Sequence, residues 1–244
     1  MDSCELAAVV ATADAVAATS ARNDKVAALA LLLSEISPFE APIIVGLLTG
    51  EIRQGRIGVG WAAVRDLDTV PAIESSLRVA DVDSAMDSLA LVSGSGSKAR
   101  RAEVLGSLLR QATQAESDFL RTVLTGGLRQ GALDGVMTTA IAKAAAVPVA
   151  TVRRAAMFSG DLGETAAVAL NEGRAALDAI GLRVGRGIQP MLASTSAGAG
   201  EAVEELGEVS VQAKLDGIRL QCHRYGDAVW LFTRNLNDVT ERLP

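Results

Sequence analysis

The sequence has few of the residues that mark disulfide-stabilised, metal-binding or membrane-spanning proteins. Its 244 residues include two cysteines and one histidine, and aromatic residues make up 3%. Cys4 and Cys222 are too few and too far apart for a disulfide framework or a metal site. The apolar run Val26–Leu33 is much shorter than the roughly 20 residues that span a bilayer. Asp2 and Glu5 exclude the basic start of a signal peptide. These absences predict a soluble, cytoplasmic chain that does not contact membranes.

The composition excludes an intrinsically disordered chain, whereas the net charge does not decide which class of partner the chain binds. Hydrophobic residues make up 49% and the mean hydropathy is +0.28, so the chain can bury a core. The 23 basic and 29 acidic residues give a net charge of −6, which argues against a nucleic-acid binder that works through bulk charge. Arginines outnumber lysines by nineteen to four. Codon bias is the first explanation of this excess, and bidentate binding of phosphate is the second.

Up to about residue 180, apolar residues recur at the spacing of an amphipathic helix. Steps of three and four residues occur in Val26–Ile36 and in Val104–Ala112, and Ala166–Ile180 has the same character. Because aromatic residues are scarce, the core has to be aliphatic packing of helix on helix. We therefore predict an all-α domain over residues 1–183.

This region contains an internal repeat. Leu47–Gly55 recurs 76 residues later as Val123–Gly131, with six of nine positions identical. We interpret the repeat as two copies of a helical unit, at about 20–64 and 96–140. Two copies are too few for a solenoid, so a pseudo-twofold domain is predicted.

A glycine–serine segment separates the copies, and the pattern becomes β-like towards the C-terminus. Ser93–Ser97 predicts a loop or flexible connector. From Val209 onwards polar and apolar residues alternate as in a strand, Tyr225–Asp227 predicts a turn, and Val229–Phe232 predicts a second strand. The predicted fold class is therefore mainly α, with the helical domain followed by a short β-containing domain over residues 184–244.

The strongest chemical signal is Lys214–Arg219, where lysine, aspartate, glycine and arginine stand close to a strand end. Such a turn can present an amine, a carboxylate and a guanidinium to one ligand, and Gly217 permits a close backbone turn. A lysine nucleophile attacks as the neutral amine, which a neighbouring cation such as Arg219 or a bound metal favours. On spacing alone, a solvated hairpin explains the same residues. His223, the single histidine, is assigned to the strand surface without a role.

Lys214–Arg219 resembles the Lys-x-Asp-Gly-x-Arg signature of ATP-dependent DNA ligases and mRNA capping enzymes. Pro190–Ala193 resembles the PMLA segment of the ligases, and Phe232–Thr240 resembles their (S/T)RN…DVT motif. In the helical region, Leu128–Gly131 matches the LRxG element of the DNA-binding domain of the larger ligases, a domain that capping enzymes lack. The resemblance to ATP-dependent DNA ligases covers residues 20–244.

The resemblance implies a reaction and the residues that carry it. Lys214 would attack the α-phosphate of ATP and become lysyl-AMP, AMP would pass to the 5′-phosphate of a nick, and the 3′-hydroxyl would then displace AMP. Gln212 stands where many ligases have a glutamate that accepts a hydrogen bond from adenine, and its carbonyl can accept the same bond. Arg219 and Arg234 would contact the nucleotide or the nick phosphate. ATP and Mg²⁺ are the implied cofactors, with the metal ligands expected beyond Pro244.

The later motifs of the family and its C-terminal oligonucleotide-binding fold are absent from the sequence. We therefore expect the N-terminal portion of a ligase that seals nicks in DNA replication, repair and recombination. This chain alone is expected to bind nicked or duplex DNA as a monomer, without ligating it.

The repeat predicts two corners that bind DNA phosphates, each with basic residues at a helix start and an arginine in a turn. The candidate DNA-binding residues are Arg22, Lys25, Arg53, Lys98, Arg100, Arg101 and Arg129. Phosphate contacts fix position without reading bases, which suits sequence-independent binding. The glycines of the turns also fit helix C-caps. Because Glu51 replaces Gly127 of the second copy, weaker binding is predicted at the first corner.

Two alternatives stay open. The chain could be a non-catalytic DNA-binding or scaffold protein with a relic nucleotidyltransferase segment, or a helical protein-interaction module, which the net charge allows. Failure to bind DNA at low salt would favour the protein-interaction module.

Overall fold

The structure, a computed structural model, describes residues 3–55, 57–65, 67, 69–128, 134–190, 195–213 and 216–243. The chain divides into two compact units, which we call unit 1 (Met1–Ile180) and unit 2 (Gly181–Pro244). The division lies close to residue 183, where the sequence pattern changes.

Unit 1 is helical throughout the part that the structure describes. Its α-helices are α1 (Leu6–Ala18), α2 (Arg22–Glu35), α3 (Ala41–Thr49), α4 (Trp61–Arg65), α5 (Val79–Leu91), α6 (Ser97–Gln111), α7 (Gln114–Leu124), α8 (Asp134–Ala144), α9 (Val149–Ser159), α10 (Leu162–Asn171) and α11 (Gly173–Ala179), with a 3₁₀ helix at Pro38–Glu40. The core is aliphatic, and Phe119 is the one buried aromatic residue among the described residues of unit 1. None of the helices within the described ranges is long and apolar enough to cross a bilayer. The predicted all-helical architecture is confirmed.

Two helix pairs follow each other at the offset of the sequence repeat. The first pair is α2 and α3, the second is α6 and α7, and the C-terminal ends of corresponding helices agree with the 76-residue offset to within one residue. Each pair ends at a left-handed glycine, Gly50 with φ 81° and Gly126 with φ 67°. Glycine adopts this conformation without steric cost, so the C-cap interpretation of these glycines is confirmed.

A buried glutamate fixes the start of the second helix in each pair. Glu116 is 1% exposed; its carboxylate accepts hydrogen bonds from the Thr113 N–H at 2.8 Å, the Thr113 hydroxyl at 2.9 Å and the Ser75 hydroxyl at 2.5 Å. Glu40 likewise accepts from the Ser3 hydroxyl at 2.5 Å. Both carboxylates therefore tie a helix start to a segment distant in sequence.

The helix α5 lies between the two copies of the repeat and carries Asp81, Asp83 and Asp87. It buries four apolar side chains, Val79, Val82, Met86 and Leu89. The following glycine–serine segment is a loop, as predicted. Its main chain is held, because Arg100 on α6 donates hydrogen bonds to the carbonyls of Ser93 at 2.7 Å and Ser95 at 3.2 Å.

Arginines connect distant segments of unit 1 through main-chain carbonyls. Arg154 on α9 donates to the carbonyls of Asp178 at 3.3 Å and Ile180 at 3.0 Å, beside the end of α11. Arg121 on α7 binds the carbonyl of Val64 in α4. Among the described residues of unit 1, the arginines that donate to main-chain carbonyls are Arg22, Arg78, Arg100, Arg101, Arg121 and Arg154, of which Arg100 and Arg101 reach carbonyls no more than nine residues away. Because one guanidinium can reach two carbonyls, this use accounts for part of the arginine excess.

Unit 2 contains one helix and a β-hairpin in its described part. The elements are α12 (Ala199–Leu206), β1 (Leu220–Tyr225), β2 (Ala228–Thr233) and a 3₁₀ helix at Thr240–Arg242. The strands are antiparallel and join through a turn with Gly226 at φ 59°. The predicted turn and second strand are confirmed. The predicted start of the first strand at Val209 is wrong, since the described residues between Gly207 and Arg219 form no strand.

Residues after β2 return along its outer edge. The Val239 N–H donates to the Leu231 carbonyl at 2.9 Å, and the reversal uses Leu236 at φ 61°. Asp238 accepts hydrogen bonds from the Thr240 hydroxyl at 2.5 Å and the Thr240 N–H at 2.9 Å, which hold the pKa of the Asp238 carboxyl below its usual range. The DVT residues therefore shape this edge of the hairpin.

Candidate nucleotide-binding and DNA-binding sites

The two predicted nucleotide-binding arginines lie at the open end of the hairpin. The register pairs Leu220 with Thr233, which places Arg219 and Arg234 one residue beyond the last pair, on opposite strands. Both side chains are exposed, and neither has a hydrogen bond or ion pair with the part of the chain that the structure describes. Two guanidinium groups brought to one end of a hairpin repel each other, and a bound anion would offset that repulsion.

The other predicted nucleotide-binding residues are less informative. Gln212 is exposed in a segment without regular secondary structure. Lys214, the predicted nucleophile, lies outside the described residues, as do residues 191–194 of the PMLA segment. Within the described residues, Gln212 has no hydrogen bond to either arginine. Among the described members of the predicted set, the structure therefore brings together Arg219 and Arg234.

His223 has a role that the sequence did not indicate. Its Nδ1 accepts a hydrogen bond from the Gly185 N–H at 3.1 Å, and its ring packs edge-on against Phe232 with centroids 5.2 Å apart. The sequence placed His223 on the strand surface without a role, whereas in the structure it is half-buried and bound to Gly185. Alternation of polar and apolar residues along a strand shows which residues share a face, but it does not show which of the two faces another segment of the chain covers.

Unit 2 also has an open cavity of about 470 Å³, lined by Val229, Trp230 and Asp238–Arg242. None of the described nucleotide-binding candidates lines it.

The start of α6 carries a candidate DNA-binding group, Lys98, that is not held by other described residues. Lys98 is exposed and has no hydrogen bond or ion pair within the described ranges, and the first turn of α6 contains no acidic residue. Arg101 donates to the Val92 carbonyl at 2.5 Å. Its guanidinium packs on Gly58, where a Cβ atom would lie 2.9 Å from Cζ. A helix start with free N–H groups and cations provides a favourable environment for phosphate.

Arg53, the candidate of the first corner, is bound inside unit 1. Its guanidinium contacts the Asp83 carboxylate at 2.8 and 2.9 Å and the Asp87 carboxylate at 2.5 Å. The Gln54 amide donates to the same carboxylates, at 2.7 and 2.9 Å. The hydrogen bond from Gln54 is the main cause that lowers the pKa of the Asp87 carboxyl, and the hydrogen bond from Arg53 lowers it further. We call these four residues the Arg53 cluster; it joins the turn after α3 to α5 and neutralises the arginine.

The surroundings of the first corner are acidic as well. Burial is the main cause that raises the pKa of the Glu51 carboxyl, and the nearby carboxylates of Asp134 and Asp161 raise it further. Electrostatic repulsion of a DNA phosphate therefore adds to the neutralisation of Arg53 at this corner.

The remaining candidates divide between those with internal contacts and one outside the described residues. Arg22 donates to the Gly135 carbonyl at 2.8 Å and the Thr139 hydroxyl at 3.2 Å, which links α2 to α8. Lys25 on α2 is half-buried. Arg129 lies outside the described residues. Sequence reasoning missed the internal partners because they come from segments far away along the chain.

Comparison with known protein families gives two matches in chain order. The model of the DNA ligase N terminus matches residues 62–142, and the model of the ATP dependent DNA ligase domain matches residues 190–244. Together the two matches cover more than half of the chain. The second match includes Gln212, Lys214, Arg219 and Arg234.

Curated relatives match almost the whole chain. A probable DNA ligase of Pseudarthrobacter chlorophenolicus is 52% identical over 97% of the chain, and that of Nocardia farcinica is 52% identical over 97%. The probable DNA ligase of Saccharopolyspora erythraea is 51% identical over 98% of the chain. The matched regions cover 46%, 45% and 47% of these relatives, so the chain spans about half the length of the curated relatives it matches.

Proposed function

The chain belongs to the ATP-dependent DNA ligase family, and on that premise we propose that unit 2 supplies residues that bind ATP for strand sealing. We propose further that unit 1 binds the backbone of nicked duplex DNA. The observation that carries the nucleotide proposal is the placement of Arg219 and Arg234 side by side at the open end of the hairpin. These two cations lack carboxylate partners among the described residues and can bind the phosphates of a nucleotide.

In the proposed reaction Lys214 is the nucleophile. Its neutral amine forms a bond to the α-phosphorus of ATP while the bond to pyrophosphate breaks, and the amine proton is lost to solvent. The positive charge of Arg219 favours the neutral amine and, with Arg234, stabilises the negative charge that develops on the phosphate. AMP then passes to the 5′-phosphate of a nick, and the 3′-hydroxyl displaces AMP to seal the strand.

Mg²⁺ would neutralise phosphate charge during these transfers. The described residues contain no group of three or more histidine, cysteine or acidic side chains arranged to hold a metal. We assign no step to the ion on these residues.

For DNA, we propose that the main phosphate contact of unit 1 is the start of α6. Lys98 is exposed without a partner among the described residues, whereas Arg22 and Arg53 are held by other side chains or carbonyls. Arg100 and Arg101 add positive charge to the same helix turn. A local basic surface of this kind can bind DNA although the net charge of the chain is −6.

Exchange of Lys98 for alanine should weaken DNA binding roughly tenfold at low salt and reduce the slope of log affinity against log salt by about one. The measurement is fluorescence anisotropy of a nicked duplex and the same duplex intact, over a salt series. Lys143→Ala, which removes an exposed lysine from the last turn of α8, is the matched control and should leave binding nearly unchanged. Equal losses for the two variants would contradict a phosphate contact at Lys98, and no binding by the wild-type chain would contradict DNA binding by unit 1.

The two arginines of the repeat should differ in their effect on DNA binding. Arg129→Ala should lower the affinity about fivefold, whereas Arg53→Ala should change it less than twofold, because Asp83 and Asp87 already neutralise Arg53. Both variants are compared in the same anisotropy assay. Equal losses of affinity would refute the predicted asymmetry of the two corners.

A further inference from the structure

A short segment ahead of the PMLA region is bound by side chains of β1. The side-chain amide of Gln221 pairs with the peptide groups of Ile188: Oε1 accepts from the Ile188 N–H at 2.9 Å, and Nε2 donates to the Ile188 carbonyl at 2.5 Å. His223, two residues further along the strand, accepts from the Gly185 N–H at 3.1 Å. We call Gln221, His223 and the bound residues 185–188 the Gln221–His223 clamp.

Close packing holds the same segment on the hairpin. A Cβ atom at Gly185, where φ is 83°, would lie 3.3 Å from the Trp230 indole. A Cβ atom at Gly187 would lie 3.1 Å from Leu236 and 3.2 Å from Phe232. Side chains larger than hydrogen therefore do not fit at either position without displacement of these neighbours.

The covered face of β1 is its polar face. Gln221 and His223 are half-buried, whereas Leu220 and Cys222 on the opposite face are exposed. If residues 185–188 slipped by one position along the strand, apolar contacts could re-form, but the paired hydrogen bonds could not. The amide of Gln221 fits the N–H and carbonyl of one residue, Ile188. The clamp therefore specifies the register in which residues 185–188 lie on the hairpin.

The clamp also closes a loop around the nucleotide-binding candidates. The chain between Ile188 and Gln221 contains Gln212, Lys214 and Arg219. Holding the two ends of a loop together reduces the number of conformations that the residues within it can adopt. The entropic cost of ordering these residues around a ligand is then lower.

We infer that Gln221 and His223 are positioning residues, which hold the ends of the loop that carries Gln212 and Arg219 ready for ATP through their hydrogen bonds to Ile188 and Gly185. This inference rests on the proposed nucleotide-binding function of unit 2. The two side chains act through the backbone of residues 185–188 and do not need to touch the nucleotide.

The test combines hydrogen exchange with transfer of radiolabelled AMP from ATP to the 244-residue chain. Gln221→Met keeps the size of the side chain but removes both hydrogen bonds to Ile188. It should speed exchange of the Ile188 amide about tenfold and raise the ATP concentration for half-maximal labelling about tenfold. The labelling rate at saturating ATP should stay within about twofold of wild type, because the reacting groups are intact.

Three further variants make the result interpretable. His223→Ala should speed exchange of the Gly185 amide, and His223→Asn should restore protection because the Asn Oδ1 lies near the position of Nδ1. Cys222→Ser, on the exposed face of β1, is the matched control and should behave as wild type in both measurements. Lys214→Ala gives the labelling background.

The outcomes separate the clamp from the proposed function. Unchanged exchange at Ile188 in Gln221→Met would overturn the clamp, and faster exchange with an unchanged ATP requirement would overturn the positioning role. If the wild-type chain takes up no label, equilibrium dialysis with ATP on the same variants replaces the labelling assay. A wild-type chain that protects Gly185 and Ile188 but does not bind ATP would contradict the proposed function, and the positioning role with it, while leaving the clamp intact.

Discussion

Gly163→Ala should lower the free energy of unfolding of unit 1 by about 2 kcal/mol, although alanine is the better helix former. Gly163 lies in the first turn of α10, where α10 packs against α3. A Cβ atom there would stand 2.8 Å from Pro42 Cα and 3.1 Å from the Pro42 carbonyl oxygen. Both are backbone atoms, so α3 and α10 have to move apart. A cost of about 3 kcal/mol for overpacking exceeds the gain of up to about 1 kcal/mol in helix propensity.

The measurement is urea unfolding of the chain, followed by far-UV circular dichroism, which reports the helices of unit 1. Gly135→Ala is the matched control, because Gly135 is also in a first helical turn and, among the described residues, a Cβ atom there meets only the Arg22 guanidinium at 3.9 Å. Its stability should be unchanged or higher by about 0.5 kcal/mol. Equal stability of the two variants would show that α3 and α10 are not in close contact.

Glu116→Ala should destabilise unit 1 by about 3 kcal/mol, because it removes a buried acceptor of several hydrogen bonds. The two hydroxyls of Ser75 and Thr113 and the Thr113 N–H would each lose their acceptor. The start of α7 would keep the hydrogen bond from the N–H of residue 116 to the Thr113 hydroxyl, but its capping box would lose the carboxylate that accepts from the Thr113 N–H. The same urea titration measures the loss.

Two variants distinguish the lost hydrogen bonds from a general effect of the substitution. Glu116→Gln keeps one oxygen acceptor, so it should lose only about 1 to 2 kcal/mol. Glu40→Ala should lose less than Glu116→Ala, since Glu40 is 9% exposed and accepts from Ser3 and Cys4 near the chain terminus. A loss below 1 kcal/mol for Glu116→Ala would contradict the role assigned to this carboxylate.

Local sequence patterns predicted most of the helical fold. Leucines spaced by three and four residues marked α2 and α6, and the repeat predicted that two helix pairs recur at one offset. No separate helix was predicted between the two copies of the repeat, where α5 buries Val79, Val82, Met86 and Leu89. The start of β1 was placed too early, since the described residues between Gly207 and Leu220 alternate in polarity but pair with no strand.

The candidate sites depended on contacts that a sequence does not display. Arg53 and Asp83 lie 30 residues apart, and Arg22 and Gly135 lie 113 residues apart, so their pairing could not be anticipated. The juxtaposition of Arg219 and Arg234 followed from the register of a short hairpin, which the turn at Gly226 determines. Lys214 and Arg129, which lie outside the described residues, stay predictions from the motif and the repeat.

Six arginines among the described residues of unit 1 bind main-chain carbonyls, so the positive charge of unit 1 is not a measure of its capacity to bind phosphate. Their guanidinium groups join segments of unit 1, so the number of arginines does not measure how many phosphates the surface can hold. Reagents that modify arginine, such as dicarbonyl compounds, will therefore loosen these junctions and report on folding. Acetylation of lysine leaves the junctions intact, which makes Lys98 the residue at which chemical footprinting reads DNA contact directly.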